Sequence, residues 1–137
     1  MFSSTSVVVA AALSVSIFAG CGHNADRVEL SGTVTFAGKP VQHGQIRFLP
    51  IEDTQGPVTI AQIEDGKYAV TSHEGVPVGR LRVEIRGYDM TGITVPMPGT
   101  RPPKQLLPEK YNDKTTLTLT VSDSTGYRIT HDFDLTP

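Results

Sequence analysis

The chain has 137 residues, of which 38% are hydrophobic and 19% are charged, and its formal net charge is -2. This length allows one domain to bury a core without disulfides or a structural metal. The 12 basic residues are spread among 14 acidic ones, so no basic stripe could follow a phosphate backbone and nucleic acid is not an expected partner.

The first twenty residues have the pattern of an export signal. An apolar run extends from Val7 to Ala19, which is too short for a lasting transmembrane helix but suits the hydrophobic part of a signal peptide. Two small residues then precede Cys21, and this arrangement resembles the lipobox that is cut by bacterial lipoprotein signal peptidase. We therefore expect a lipoprotein signal peptide in residues 1–20, a lipidated cysteine with a short tether in residues 21–27, and the folded domain in residues 28–137.

Cys21 is the only cysteine, so it cannot form an internal disulfide. A diacylglycerol on its thiol accounts for it, and a lipidated cysteine of this kind anchors a protein stably because each buried methylene contributes about 0.8 kcal/mol. Gly22 follows the cysteine; in some bacteria the absence of Asp there permits sorting outward, which favours the outer membrane or cell surface over the inner membrane. The alternative is an ordinary secretory signal that leaves Cys21 as a free thiol.

The first predicted elements are two strands within Ser31 to Phe48, joined as a hairpin by a Gly-Lys-Pro-Val turn. Val34 and Phe36 alternate with threonines before the turn, and Ile46 and Phe48 alternate with polar residues after it, as half-buried strands require. The first strand also includes Val28 and Leu30, which share a face with Val34 and Phe36. Gly32 interrupts this apolar row, which predicts a bulge or a point of close packing there.

Five more strands follow by the same alternation. They cover Val58 to Ile63, the stretch with Tyr68 and Val70 after the Asp65-Gly66 turn, Leu81 to Ile85, Leu117 to Val121, and Ile129 to Leu135. Tyr68 is predicted to face the core and His131 to lie on the apolar face of the last strand. Seven short strands separated by turns predict an all-β fold, a seven-stranded Greek-key β-sandwich of the immunoglobulin-like or transthyretin-like kind.

A long connection, Tyr88 to Lys110, contains five prolines and an unusual number of apolar side chains. Connections of this length are commonly functional or mobile, and its apolar groups must either fold over the sandwich or meet a partner. We predict a candidate interaction loop, and the alternative is that the segment only covers an open sheet edge. The residues proposed for contact are Tyr88, Met90, Ile93, Met97, Leu106 and Tyr111.

The sequence contains no pattern typical of a catalytic or metal site. The four histidines, His23, His43, His73 and His131, include no pair at the spacings that present two imidazoles to one metal. The loop acids do not follow a calcium-loop spacing, and no serine or cysteine has a nucleophile motif around it. We therefore expect no enzyme activity, no metal and no cofactor.

The domain resembles a known family, the bacterial lipoproteins that consist of one carboxypeptidase regulatory-like domain with a transthyretin-like fold. The resemblance implies the sandwich fold and a surface location, whereas the family mostly lacks an assigned activity. The stretches that carry it are GTVTFAGKPV from Gly32, GQIRFLP from Gly44, EDGKYAV from Glu64, PVGRLRVEI from Pro77, LPEKYN from Leu107, and the strand Leu117 to Val121.

Two functions remain after these exclusions. The first is an exported lipoprotein, anchored to a bacterial membrane through Cys21, that acts as a non-enzymatic structural or protein-interaction module with an envelope protein as its partner. The second is a small-ligand module, most plausibly for carbohydrate, that uses loops at one end of the sandwich. Sugar-binding modules stack rings on exposed aromatic side chains, and this chain has no tryptophan and only four tyrosines.

Overall fold

A computed structural model describes residues 27–71, 73–91, 103–122 and 127–137. Strands dominate these ranges, which also contain a short 3₁₀ helix, Glu109–Tyr111. The predicted signal peptide and Cys21 lie outside them. The strands are β1 (Arg27–Phe36), β2 (Lys39–Pro40), β3 (His43–Pro50), β4 (Thr59–Glu64), β5 (Lys67–Val70), β6 (Val76–Pro77), β7 (Gly79–Asp89), β8 (Lys104–Gln105), β9 (Thr118–Val121), β10 (Arg128–Thr130) and β11 (Phe133–Leu135).

The all-β, sandwich-like fold predicted from the sequence is confirmed. The seven predicted strands correspond to β1, β3, β4, β5, β7, β9 and the pair β10 and β11, which follow β1 in one common register. The other segments, β2, β6 and β8, have two residues each. Within the described ranges, no helix is long and apolar enough to cross a bilayer.

The strands form one curled sheet in the order β10, β1, β5, β4, β3, β7, β8, with β2, β6 and β11 also paired to β1 and with β9 paired to β7. Most pairs are antiparallel, whereas β10 and β11 run parallel to β1. The inner face buries an aromatic row in which the ring centroid of Tyr68 lies 6.0 Å from that of Phe48 and 6.0 Å from that of Phe133. Tyr68 is 3% exposed, so its predicted inward orientation is confirmed.

The predicted hairpin of Ser31 to Phe48 is wrong, because β5 and β4 lie between β1 and β3 in the sheet. The turn at Ala37 and Gly38 joins β1 only to the two residues of β2. The β4–β5 turn then inserts between the two expected partners: the carbonyl of Gly66 accepts from the amide of Val34, and the amide of Gly66 donates to the carbonyl of Val41. The amide of Val41, which precedes β3, also donates to the carbonyl of Val34, whereas β1 and β3 themselves pair with β5 and β4.

Gly32 is a point of close packing, as its position in the apolar row predicted. A Cβ atom there would lie 1.9 Å from the carbonyl oxygen of His131, which lies beside β1 at the break between β10 and β11. Two side chains replace ladder hydrogen bonds at this break. The carboxylate of Asp132 accepts from the amide of Thr33 at 2.8 Å, and the hydroxyl of Tyr68 donates to the carbonyl of His131 at 2.6 Å.

The predicted position of His131 on the apolar face is wrong, because the residue is exposed in the break between β10 and β11. Its ring lies at the edge of the Phe133 ring, with the centroids 4.7 Å apart. The strand opens here since the side chain of Asp132 and the hydroxyl of Tyr68 take the backbone groups that a continuous ladder would use.

The strands give the domain two ends. The Arg27 end contains the start of β1 at Arg27, of β4 at Thr59 and of β7 at Gly79. The Asp89 end contains the start of β3 at His43 and the last residue of β7, Asp89. β7 has 11 residues, so the two ends are about 33 Å apart at roughly 3.3 Å per residue.

Candidate functional site

The outer face of β3 and β7 carries three arginines around one carboxylate. Side chains alternate along a strand, so Arg82, Glu84 and Arg86 all point outward from β7. On the neighbouring strand Arg47 lies directly opposite Glu84. We call Arg47, Arg82, Arg86 and Glu84 the arginine cluster.

Glu84 is the centre of this cluster, and its two oxygens are both used. Arg47 donates to Oε2 at 2.9 Å, Arg86 donates to the same oxygen at 3.2 Å, and Arg82 donates to Oε1 at 3.2 Å. Glu84 is only 7% exposed, because the three guanidinium groups cover it. A buried carboxylate without these partners would be strongly destabilised.

The arginine cluster has a surplus of positive charge. Arg86 also donates to the exposed carboxylate of Asp113 at 2.5 Å. Burial by itself would lower the pKa of Arg86, but its hydrogen bonds and ion pairs with Glu84 and Asp113 outweigh this effect and raise the pKa. Among the described residues, Arg47 and Arg82 form ion pairs with Glu84 alone, so two guanidinium groups retain most of their donors for solvent or for a ligand.

Apolar side chains border the arginine cluster on the same face. Ile60 of β4 is 44% exposed and lies directly opposite Arg47. Leu49 of β3 is half-buried and lies opposite Arg82, while Tyr88 continues the outward row of β7 beyond Arg86. Arginines and exposed apolar groups side by side are typical of protein-binding surfaces.

The predicted interaction residues divide into three groups. Tyr88 is part of strand β7 and not of the predicted loop, and Met90 follows the last residue of that strand. Both side chains are half-buried. Leu106 is 49% exposed, and its amide donates to the carbonyl of Gly87 at 2.8 Å, so Tyr88, Met90 and Leu106 lie at the Asp89 end. Ile93 and Met97 lie outside the described residues.

Tyr111 has a different environment from the other predicted contact residues. Its side chain is 9% exposed and belongs to the core. Its hydroxyl donates to the carbonyl of Thr136 and accepts from the amide of Thr136, both at 2.9 Å. Tyr111 therefore joins the 3₁₀ helix to the end of the chain, and its ring is not part of an accessible surface.

The described part of the long connection also covers the outer edge of β7. Gln105 pairs with Tyr88, and its side-chain oxygen accepts from the amide of Gly87 at 2.9 Å. Farther along the same edge, the hydroxyl of Thr115 donates to the carbonyl of Val83 at 2.7 Å. These contacts support the alternative interpretation for residues 103–117, in which the segment shields a sheet edge.

A second surface feature is a shallow groove of about 840 Å³ over β1, β4 and β5. Seven of the ten described residues that line it are polar or charged, and the one aromatic ring among those ten residues is that of Tyr68, which is 3% exposed. The polar residues are Ser31, Thr33, Gln62, Glu64, Lys67, Thr130 and Asp132. The groove lies on a sheet face and not among the end loops.

The described residues contain no group of three or more His, Cys, Asp or Glu side chains that could hold a metal ion. His43 and His73 are both exposed, and His23 lies outside the described residues.

The pKa of Tyr68 is raised, first because burial disfavours its ionised form and second because Asp132 carries a negative charge nearby. Its hydroxyl therefore remains a hydrogen-bond donor.

The alternation within Leu81 to Ile85 predicts that one face of β7 is exposed to solvent, but the arginine cluster on that face was not predicted from the sequence. The available signal was the alternation of Arg82, Glu84 and Arg86, which puts two cations and one anion on one face. The missing information was the strand beside it, since Arg47 is 37 residues away in sequence.

Comparisons with known proteins found no match to any family model, to any curated protein or to any solved structure.

Proposed function

We propose that the chain is a bacterial envelope lipoprotein, held at a membrane through a lipid on Cys21, whose β-sandwich acts as a non-enzymatic structural or protein-interaction module. We also propose that it belongs to the carboxypeptidase regulatory-like lipoproteins, which its sequence resembles, and that it is located at the outer membrane or cell surface. The observation that carries it is that Arg27, where the tether joins the domain, and Tyr88, Met90 and Leu106 lie at opposite ends of the strands.

The geometry of the domain supports this arrangement. β1 begins at Arg27, so a tether from Cys21 reaches at most about 20 Å, at roughly 3.3 to 3.6 Å per residue. β7 then carries the chain to Tyr88 and Met90 at the Asp89 end, about 33 Å away at the rise of a strand. A lipid on Cys21 would hold the Arg27 end near the membrane and direct Tyr88, Met90 and Leu106 away from it, toward an envelope partner.

The anchor is tested with Cys21→Ser. We expect the wild-type protein to partition into the detergent phase and to have the mass of the chain from Cys21 plus attached lipid. The serine variant should lose the lipid mass and move to the aqueous phase. Two results would show that Cys21 does not anchor the chain. One is a wild-type protein that carries no lipid mass, and the other is a Cys21→Ser variant that keeps both the lipid mass and the detergent partitioning of the wild-type protein.

The interaction role is tested in intact cells with a photo-crosslinking amino acid at Leu106. The control is the same amino acid at Tyr127, which is 70% exposed and lies beside β10, near the Arg27 end. We expect a discrete adduct of one size from position 106 and not from position 127, and we expect it to disappear in the Cys21→Ser background. Equal labelling from both positions would contradict an interaction surface at the Asp89 end.

A second candidate function is carbohydrate binding, which the polar groove of about 840 Å³ favours. Hydroxyl, amide and carboxylate groups on neighbouring strands can hydrogen-bond to sugar hydroxyls. A titration with neutral and acidic oligosaccharides would then shift the NMR amide signals of Thr33, Gln62 and Thr130 together. If those signals do not move at millimolar oligosaccharide, the groove is not a sugar site.

A further inference from the structure

We infer that the arginine cluster binds an acidic segment of a partner protein, in which Arg47 and Arg82 receive the carboxylates and Ile60, on the other side of Arg47, contacts an apolar side chain next to the carboxylate at Arg47. This inference rests on the proposed function in one respect, since it treats the domain as a protein-interaction module. It adds the chemistry of the partner and a second surface, on the sheet face between the two ends.

Arg47 and Arg82 have N–H donors left available for a ligand. A guanidinium group has five N–H donors in a planar fork. Arg47 gives one N–H to Glu84 at 2.9 Å, and Arg82 gives one at 3.2 Å. Their side chains are 33% and 45% exposed, so the remaining donors can be reached from solvent. A carboxylate accepts two parallel N–H groups from such a fork.

Glu84 holds the arginines in place before any ligand binds. Exposed arginine side chains normally lose conformational freedom when they bind. Here Arg47 and Arg82 are both hydrogen-bonded to the carboxylate of Glu84, a residue that is only 7% exposed. Part of the ordering cost of binding is therefore already met in the free domain, as it is in preorganised sites.

The charge around the arginine cluster favours an acidic peptide over a membrane or a polyanion. A membrane or polyanion surface needs an extended basic field, whereas the surplus charge here is local and bounded. Asp113 pairs with Arg86 on one side, and Glu52 pairs with Arg80 at 3.2 Å on the other. The apolar neighbour Ile60 would gain nothing from a phosphate chain, but it suits a peptide that alternates carboxylates with apolar side chains.

The test uses the full-length chain in neutral detergent and two polymers of matched length, poly-glutamate and a random copolymer of glutamate and tyrosine. We expect the copolymer to bind more tightly than poly-glutamate, and binding to weaken as salt rises. In Arg47→Gln/Arg82→Gln, the affinity for the copolymer should fall about tenfold or more, since a hydrogen bond to a charged group is worth at least a factor of ten.

The matched control is Lys39→Gln/Arg128→Gln, which removes the same charge away from the cluster. Lys39 lies in β2 and Arg128 pairs with Glu29 at the start of β10, and this variant should retain the wild-type affinity within about twofold. Thermal unfolding followed by circular dichroism identifies variants that have lost their fold. If the Gln pair unfolds, Arg47→Lys/Arg82→Lys keeps the charge but removes the fork, and we expect a loss of affinity there as well.

Three results would overturn the inference. The first is equal loss of affinity in the cluster variant and in the control. The second is tighter binding of dextran sulfate or of vesicles with anionic lipid than of the copolymer. The third is full competition by millimolar inorganic phosphate, which would indicate a small-anion site. Because the protein is in detergent, failure of the Cys21 anchor would not affect this experiment, so the two failures can be distinguished.

Discussion

The hydroxyl of Tyr68 donates a 2.6 Å hydrogen bond to the carbonyl oxygen of His131, across the backbone of Gly32. Tyr68 lies directly opposite Gly32 in the β1–β5 ladder, and the missing side chain lets the tyrosine reach the strand beyond β1. This hydrogen bond passes over β1 and joins β5 to the break between β10 and β11. It therefore connects the interior of the sheet to its edge.

Gly32→Ala should lower the free energy of unfolding by about 2 to 3 kcal/mol, because the new Cβ would meet the backbone of His131 and force the edge strand outward. Urea denaturation measures the change. The matched control is Ser31→Ala, which alters the neighbouring side chain on the outer face and should change stability by less than about 0.5 kcal/mol. Equal effects of the two substitutions would contradict the close packing at Gly32.

Tyr68→Phe should lower stability by about 1 kcal/mol at pH 7 through loss of the hydrogen bond to His131. The pKa of Tyr68 is raised in the folded protein, so its contribution is fully present below the ordinary tyrosine value of about 10 and is lost as the pH rises above it. The wild-type protein should therefore lose about 1.4 kcal/mol per pH unit from this group above pH 10.

Urea denaturation between pH 8 and pH 11 tests this dependence, and Tyr68→Phe should show a shallower slope than the wild-type protein. The control is Tyr127→Phe, which removes a hydroxyl from a residue that is 70% exposed. Parallel slopes for the wild-type protein and Tyr68→Phe would mean that Tyr68 makes no such contribution.

Glu84→Gln should lower the free energy of unfolding by about 1 to 3 kcal/mol, because Arg47, Arg82 and Arg86 would then repel one another without a central carboxylate. The loss should shrink at high salt, where like charges are screened. Glu109→Gln is the control: it breaks the exposed pair with Lys114 and should cost less than about 0.5 kcal/mol. If Glu84→Gln leaves the free energy of unfolding unchanged, Glu84 does not organise the cluster.

Asn112→Ala should loosen the segment that covers β7. Asn112 is 3% exposed, and its amide donates to the carbonyl of Pro108 at 3.1 Å. We expect a loss of about 1 to 2 kcal/mol and faster hydrogen exchange at the amide of Leu106, which bonds to β7. Thr116→Ala, at an exposed position nearby, should leave both unchanged. If hydrogen exchange at the amide of Leu106 is unchanged in Asn112→Ala, Asn112 does not hold the segment that covers β7.

The sequence by itself determined the class of the fold and the position of most strands. A strand with one buried face must alternate apolar and polar residues, and this local requirement located the buried row of Leu81, Val83 and Ile85 and the inward position of Tyr68. It also identified Gly32, because a glycine in an apolar row has few structural roles. Each of these features depends on residues that are close together in sequence.

Only the tertiary structure decided which strands are neighbours. The hairpin expected within Ser31 to Phe48 does not form, because β1 pairs with β5 and β3 pairs with β4, so that the β4–β5 hairpin lies between them. The same long-range pairing brought Arg47 to Glu84 and created the arginine cluster. Alternation fixes which face a residue occupies, but hydrogen bonds between distant segments fix what that face meets.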